Sequence, residues 1–384
     1  MFGFGNLKRV LGAAGLSMAL AACQMVPHGA PVGPPPVVTP TPPPSTLPQD
    51  LNRHRVALLV PLTGPNAAVG HSLENAATMA LLDTNASNLR ITTYDTGTGA
   101  RSAAARAIAD GNKLILGPLL GDDVAAVATV ARPAHVPLIS FSNDRSVAAS
   151  GVFLVGVVPE QSIGRTVAYA LAHGSKRFAA IVPEGEYGDR AAKALGDRVT
   201  AGGGVMVDVE KYPRGASTIV SAATRLKAKG GFDTVLIADG SRLSAIGAAQ
   251  LKKAGAALPH LLGTELWSGE EDVAKAAALR GAWFSAVSDS RWSRFAASYK
   301  SRFGAQPYRI ATLGYDAVLL TLRAAHDWTP GRNFPINELS DPGGFLGVDG
   351  AFRFGPDGVA QRAMEVRQVG AGTVTVVSPA PSGF

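Results

Sequence analysis

Cysteine is almost missing from this sequence. One thiol, Cys23, stands in 384 residues. That excludes an internal disulfide and any multi-cysteine zinc or iron–sulfur site. The seven histidines (His28, His54, His71, His135, His173, His260 and His326) include no i,i+4 pair and no cysteine neighbour, so no metal site is expected. There is no G-x-S-x-G elbow and no Walker glycine loop, which removes the serine-hydrolase and phosphate-loop classes. Runs of Lys and Arg are absent too. The formal net charge of +7 is spread along the chain, a pattern that serves solubility rather than nucleic-acid binding. Beyond the first 22 residues no apolar run approaches the roughly 20 residues of a membrane-spanning helix. "GTGARS" (Gly97–Ser102) only approximates a dinucleotide fingerprint: Ser102 replaces the third glycine, and the segment follows the second strand rather than the first. Glu270, Glu271 and Asp272 sit at an expected helix start, where acids favour the dipole. The expectation is a non-enzymatic protein with no cofactor and no nucleic-acid partner.

What is present begins with the setting of that one cysteine. Lys8 and Arg9 precede an apolar run, Val10 to Ala22, which ends in Leu20-Ala21-Ala22-Cys23. The run has the length of a secretory leader. Its ending resembles the lipobox of bacterial lipoproteins, in which a signal peptidase cuts before the cysteine, the sulfur receives a diacylglyceryl group and the new amine is acylated. An ordinary leader cut after Ala22 is the alternative. Several acyl chains suffice for stable anchoring, and Gln24, in place of Asp, resembles lipoproteins released to the outer membrane. Residues 24–52, "QMVPHGAPVGPPPVVTPTPPPSTLPQDLN", carry no apolar period and read as a linker. As polyproline II it reaches on the order of 90 Å at about 3.1 Å per residue. Loss of Lys8 and Arg9 with the leader reduces the charge from +7 to +5. The expected organisation is a signal peptide over 1–22, a lipidated Cys23 with its linker over 23–52, and a head over 53–384.

The head alternates short β-branched runs with alanine-rich helical periods. "RVALLVP", "LRITTYD", "KLILGP" and "VPLISFS" are separated by the helices of "AAVGHSLENAATMALLD", "ARSAAARAIAD" and "DDVAAVATVA". The rhythm restarts after "GVFLVGVVPEQ" with "RFAAIVP", "VMVDVEKY", "DTVLIAD", "HLLGT" and "GAWFSAV". This predicts an α/β fold of two lobes, each a doubly wound, mainly parallel sheet flanked by helices. A helix-rich stretch and a hairpin, "FLGVDGAFRFGPDG", with Asp349-Gly350 as its turn, close the chain.

In order and spacing these segments resemble the type I periplasmic binding proteins of the leucine-binding class. The matching residues are Pro61–Pro65 with Gly70, Asp95, Gly117-Pro118, Val136–Ser140, Glu186–Gly188 and Gly314–Val318. The resemblance implies three crossings between lobes, with lobe 1 over 53–156 and 285–335 and lobe 2 over 157–284 and 336–384. Ligands of open α/β sheets collect beyond the carboxyl ends of strands. There the sequence offers Thr63, Ser140, Ser142, Asn143, Glu184, Tyr187, Asp239 and Glu265. In the family's amino-acid binders a serine after the third strand and a hydroxyl patch after the fourth hold the carboxylate, and an acid in lobe 2 holds the ammonium. Here "GPLLGDD" has no hydroxyl, and Asp122 and Asp123 oppose an anion, whereas "SFSND" keeps Ser140, Ser142 and Asn143. Those hydroxyls are equally suited to capping loops and helix starts.

Two functions follow from the resemblance. The favoured one is that of the family's lipoprotein branch, which activates penicillin-binding proteins in peptidoglycan synthesis: a head tethered to the outer membrane that touches a synthase in the periplasm. "VPLISFSND", "GVFLVG", "RFAAIVPE", "GAWFSAV" and "GVDGAFRFGPDG" look most like that branch, and the tether suits its reach. A proline linker stands where some members carry a helical domain. The alternative is a solute-binding protein that delivers an amino acid or a related small molecule to an ABC permease.

Overall fold

Strand β1 (His54–Val60) turns Val56, Leu58 and Val60 into one buried cluster and Ala57 and Leu59 into another. A strand with two apolar faces needs helices on both sides, and the chain supplies them. The computed structural model describes residues 52–253, 259–381 and 383; the leader, Cys23 and the linker up to residue 51 lie outside them. After β1 come α1 (Ala67–Thr84), β2 (Leu89–Asp95), α2 (Ala100–Ala109), β3 (Leu114–Leu116), α3 (Gly121–Ala131), β4 (Leu138–Ser140) and β5 (Val152–Leu154). The five strands form one parallel sheet in the order β2-β1-β3-β4-β5. Helices α2 and α3 cover one face through Ala103, Ala107, Val124 and Val127. Helix α1 lies on the other through Leu73, Ala77 and Ala80.

The second lobe repeats this plan. It comprises α4 (Pro159–Ala172), β6 (Arg177–Pro183), α5 (Glu186–Ala201), β7 (Val205–Tyr212), α6 (Ala216–Lys229), β8 (Thr234–Ile237), α7 (Ser241–Leu251), β9 (His260–Leu262), the short α8 (Asp272–Lys275) and β10 (Trp283–Val287). Its parallel strands run β10-β9-β8-β6-β7, the same winding as in the first lobe. Alternate residues of β6 again serve two clusters, Ala179 and Ile181 on one face and Phe178, Ala180 and Val182 on the other.

The two lobes share a further detail. A Cβ added to Gly70 of α1 would lie 1.7 Å from the carbonyl oxygen of Pro61, and one added to Gly188 of α5 would lie 1.7 Å from that of Pro183. In both lobes the helix that follows the first strand crosses the end of that strand so closely that only glycine fits.

From β10 the chain returns to the first lobe as α9 (Trp292–Phe303) and α10 (Thr312–Ala324), whose Leu313, Ala317, Val318 and Leu320 complete the core on the α1 side. Strands β11 (Phe345–Gly347), β12 (Gly350–Phe354) and β13 (Ala360–Arg362) form a small antiparallel sheet. Only β14 (Met364–Val369) and β15 (Val374–Ser378) join the second lobe, antiparallel beyond β10. Two expectations are thereby corrected. The stretch from residue 336 to 362 does not belong with lobe 2: Leu339, Phe345, Phe352 and Ala360 pack into the core of lobe 1. The hairpin turn is Val348-Asp349, one residue earlier than expected, because Gly347 pairs with Gly350 and Gly350 already begins β12. The chain crosses between lobes near 155–158, 288–291 and 363.

The second crossing is tied by charge. Asp289 accepts from the guanidinium of Arg367 in β14 and, at 3.3 Å, from Nη2 of Arg309. Arg291 Nη1 donates to the Gly347 carbonyl at 2.6 Å.

Candidate functional site

The loops beyond the carboxyl ends of β3 and β4 face those beyond β9 and the end of β10 across a cavity of about 440 Å³. The first lobe gives it Val69 from α1, Leu119 and Leu120 after β3, Phe141 and Asn143 after β4, and Ile310 and Leu313 around the start of α10. Val157 comes from the first crossing, and the second lobe adds Glu265, Leu266 and Ser268 after β9 and Ala286 and Val287 of β10. Arg309 and Asp349 complete the lining. The cavity is therefore an apolar chamber with few polar groups, at the place where doubly wound sheets collect ligands.

Of the eight residues expected at the cleft, Asn143 and Glu265 border this cavity. Tyr187 stands behind Glu265, its hydroxyl donating to Glu265 Oε1 at 2.9 Å. The others are occupied elsewhere. Thr63 is exposed and donates its hydroxyl to Asp95 Oδ2 at 2.7 Å, tying the loop after β1 to the end of β2. Ser140 is fully buried; its Oγ donates to the Pro118 carbonyl at 2.8 Å and accepts from the Ser142 amide at 3.0 Å. Ser142 Oγ accepts from the Asp144 amide at 3.1 Å. Both hydroxyls therefore fasten the β4 loop. Glu184 is exposed at the end of β6. Asp239 is buried and accepts from the Tyr212 hydroxyl at 2.5 Å and from Arg214 Nε at 3.0 Å.

The polar part of the lining divides into a neutralised pair and an unneutralised acid. Arg309 donates from Nη1 to Asp349 Oδ1 at 2.6 Å, meets Asp289 on its other nitrogen, and stacks its guanidinium 4.8 Å from the Trp292 ring centre. Asp349 also accepts from Thr312 Oγ1 at 2.9 Å. Glu265 has no cationic partner among the described residues: Oε1 is held by Tyr187, while Oε2 is sealed from solvent without a hydrogen-bond partner. Burial raises its pKa to about 7, against hydrogen bonding from its own loop backbone, Tyr187 and the nearby Ser162 hydroxyl, with the charge of Glu160 adding to the rise. Ser268 Oγ and Arg309 Nε are likewise without partners. Ser268 and Arg309 gave no signal in the sequence and Asp349 read there only as a hairpin turn, while Leu119 and Phe141 lie in the expected cleft loops "GPLLGDD" and "SFSND" but were not among the residues expected to touch a ligand, and Val287 read as strand.

Residues 54–373 match the periplasmic binding protein family, and the chain belongs to it. Members of that family typically bind ligands without transforming them. Among solved structures, a putative branched-chain amino acid ABC transporter protein from Rhodospirillum rubrum superposes with a TM-score of 0.75 at 21% identity, covering 85% of this chain and 100% of that one. The leucine-binding protein of Thermotoga maritima gives 0.66 at 21% identity over 85% and 98%. An ABC-transporter solute-binding protein of Rhodopseudomonas palustris BisB5, in complex with 3,4-dihydroxybenzoic acid, gives 0.69 at 20% identity over 87% and 97%. These likenesses establish the two-lobed fold. An uncharacterized protein of Rickettsia prowazekii (strain Madrid E) is 29% identical over 142 residues, a match that spans 36% of this chain and 38% of that relative. None of these structural relatives is a penicillin-binding-protein activator, and that expectation gains no support from them.

Proposed function

We propose that this chain is a periplasmic solute-binding protein whose interlobe cleft captures a small, largely apolar molecule for an ABC permease. The observation that carries the reading is the 440 Å³ apolar cavity at the carboxyl ends of both sheets. Its volume falls in the range of small-ligand sites, about 300–1,000 Å³. Because its walls come from both lobes, a ligand touching Leu119 and Leu266 together favours the closed arrangement by differential contact. The lipobox at Cys23 and the proline linker hold this head on a membrane in the periplasm, with Gln24 favouring the outer membrane.

A second reading, activation of a penicillin-binding protein, is favoured by the proline linker, whose reach suits an outer-membrane anchor, and by the cleft itself. The hydroxyls of Ser140 and Ser142 are used inside the β4 loop, and leucines follow Pro118, so the amino-acid grip of the family is incomplete. In-cell crosslinking of the lipidated protein, read by mass spectrometry, separates the two. Recovery of an ABC permease is expected; recovery of a peptidoglycan synthase and no permease would replace the solute reading by the second.

A further inference from the structure

We propose that a groove along α4 and α5 docks an acidic segment of a partner protein through Arg165 and Arg198. The site lies apart from the interlobe cavity, and the proposal holds whatever fills that cavity. The groove encloses about 790 Å³ between α4, α5 and the chain running from β13 into β14. Helix α4 lines it with Gly164, Arg165 and Ala168, and α5 with Ala194, Arg198 and Ala201. These positions recur at helical spacing, so each helix turns one face to the groove. Four of the six are glycine or alanine, and little side-chain bulk fills the space. From 194 to 201 the helix rises about 10 Å, which accommodates about three residues of extended chain.

The charge of the lining decides the partner. Each of its acids already has a cation. Glu160 takes Arg190 at 2.8 and 2.9 Å, Asp357 takes Arg145 at 2.5 Å, and Asp197 takes Lys193 at 2.6 Å. Arg362 is buried and donates to the Val155 carbonyl, with Asp349 and Asp316 near it. Arg165 and Arg198 meet no acid among the described residues; their acceptors are neutral. Arg165 donates from Nε to the Met364 carbonyl at 3.2 Å and from Nη2 to Ser378 Oγ at 2.6 Å. Those bonds fix its direction and leave Nη1 without a protein acceptor. Arg198 is exposed and donates only from Nε, to the Gly164 carbonyl at 3.3 Å. That bond lays its guanidinium over the residue next to Arg165 and leaves both Nη groups for a carboxylate. Two uncompensated guanidiniums therefore stand together over a floor of small residues. Arginine clusters of this kind recognise acidic motifs, because the planar fork matches a carboxylate.

The test is isothermal titration calorimetry on the full chain in detergent at low salt. The probes are a capped peptide of alternating glutamate and alanine, its glutamine counterpart, succinate and inorganic phosphate. The acidic peptide is expected to bind about tenfold more tightly than any of the other three. Arg198→Gln and Arg165→Gln should each cost it roughly tenfold in affinity. Arg198 is exposed on its helix, so its variant carries the test alone if Arg165→Gln, which also frees the end of β15, fails to fold. Leu119→Trp, whose indole occupies the interlobe cavity, should leave the affinity unchanged. Equal binding of the two peptides, or binding undiminished in Arg198→Gln, would overturn the proposal. Succinate or phosphate matching the peptide would make the groove a small-anion site and overturn the partner segment. Loss of binding in Leu119→Trp would place the peptide in the interlobe cavity and overturn the groove.

Discussion

At the scale of single residues, the cleft is bordered by an acid that the fold keeps partly protonated. Glu265 has a pKa of about 7, raised from 4.5 mainly by burial. Between those two values the folded chain holds a proton that the unfolded chain has lost, so stability is greatest at low pH and falls as the pH rises through about 7. Asp316, buried near Asp349 and raised to about 7 by burial and then by that neighbour's charge, acts in the same direction. Glu265→Gln is therefore expected to match wild type near pH 5 and to exceed it by on the order of 2–3 kcal/mol at pH 8, measured by denaturant unfolding at both pH values. Equal slopes of stability against pH in the two proteins would show that Glu265 ionises freely. Gly70 makes a second prediction. Its missing Cβ leaves room for the Pro61 carbonyl, so Gly70→Ala should destabilise by about 3 kcal/mol or more; a change below 1 kcal/mol would mean that α1 shifts without cost. The importance of Gly70 was legible, since Pro61 and Gly70 belong to the motif that carried the resemblance. The inward turn of Ser140 was not, because a serine at a strand end reads the same whether it faces a ligand or its own loop.

At the scale of elements, the sequence showed strands and helices wherever burial on both sheet faces forced unbroken apolar runs, as in "VALLV" and "FAAIV". It misplaced the hairpin of β11 and β12, because short strands carry no mark of which core receives them. The deciding contacts are aromatic: the Phe345 and Phe352 rings lie 5.5 Å apart, and both residues belong to the first lobe's core. Phe352→Ala should lower stability by about 3–5 kcal/mol. The same loss from a deletion of β15, with none from Phe352→Ala, would return the hairpin to the second lobe. Helix α5 reaches across the cleft through Arg190. Its Nη2 donates to the Asn143 carbonyl at 2.7 Å while the guanidinium pairs with Glu160 at 2.8 Å and stands 3.7 Å from Asp144. Arg190→Ala should cost about 1–2 kcal/mol and accelerate amide exchange in the loop from Ser142 to Ser146; unchanged exchange there would show that the tie does not restrain the lobes. The apolar wall of the cleft was illegible for a related reason. Leu119 and Val287 pack against neighbours and also border the cavity, and an apolar residue in a sequence does not say that it does both.

For the whole molecule, we propose a lipid anchor at Cys23 and a proline tether that carry a two-lobed solute-binding head. Cys23→Ala is expected to abolish palmitate labelling and release the chain from membranes; persistent labelling would remove the anchor. The repeated strand order of the two sheets, with loops meeting at their carboxyl ends, creates a cleft that neither lobe has alone, and the claim that a solute fills it is the one most open to direct test. Native mass spectrometry of the purified chain, mixed with a small-molecule extract of its own host's periplasm, would be run on wild type beside Leu119→Trp, whose indole occupies the cavity. If a solute fills the cleft, wild type shows a single adduct per chain and the variant loses it. No adduct at any extract concentration, or one that survives undiminished in Leu119→Trp, would contradict that claim.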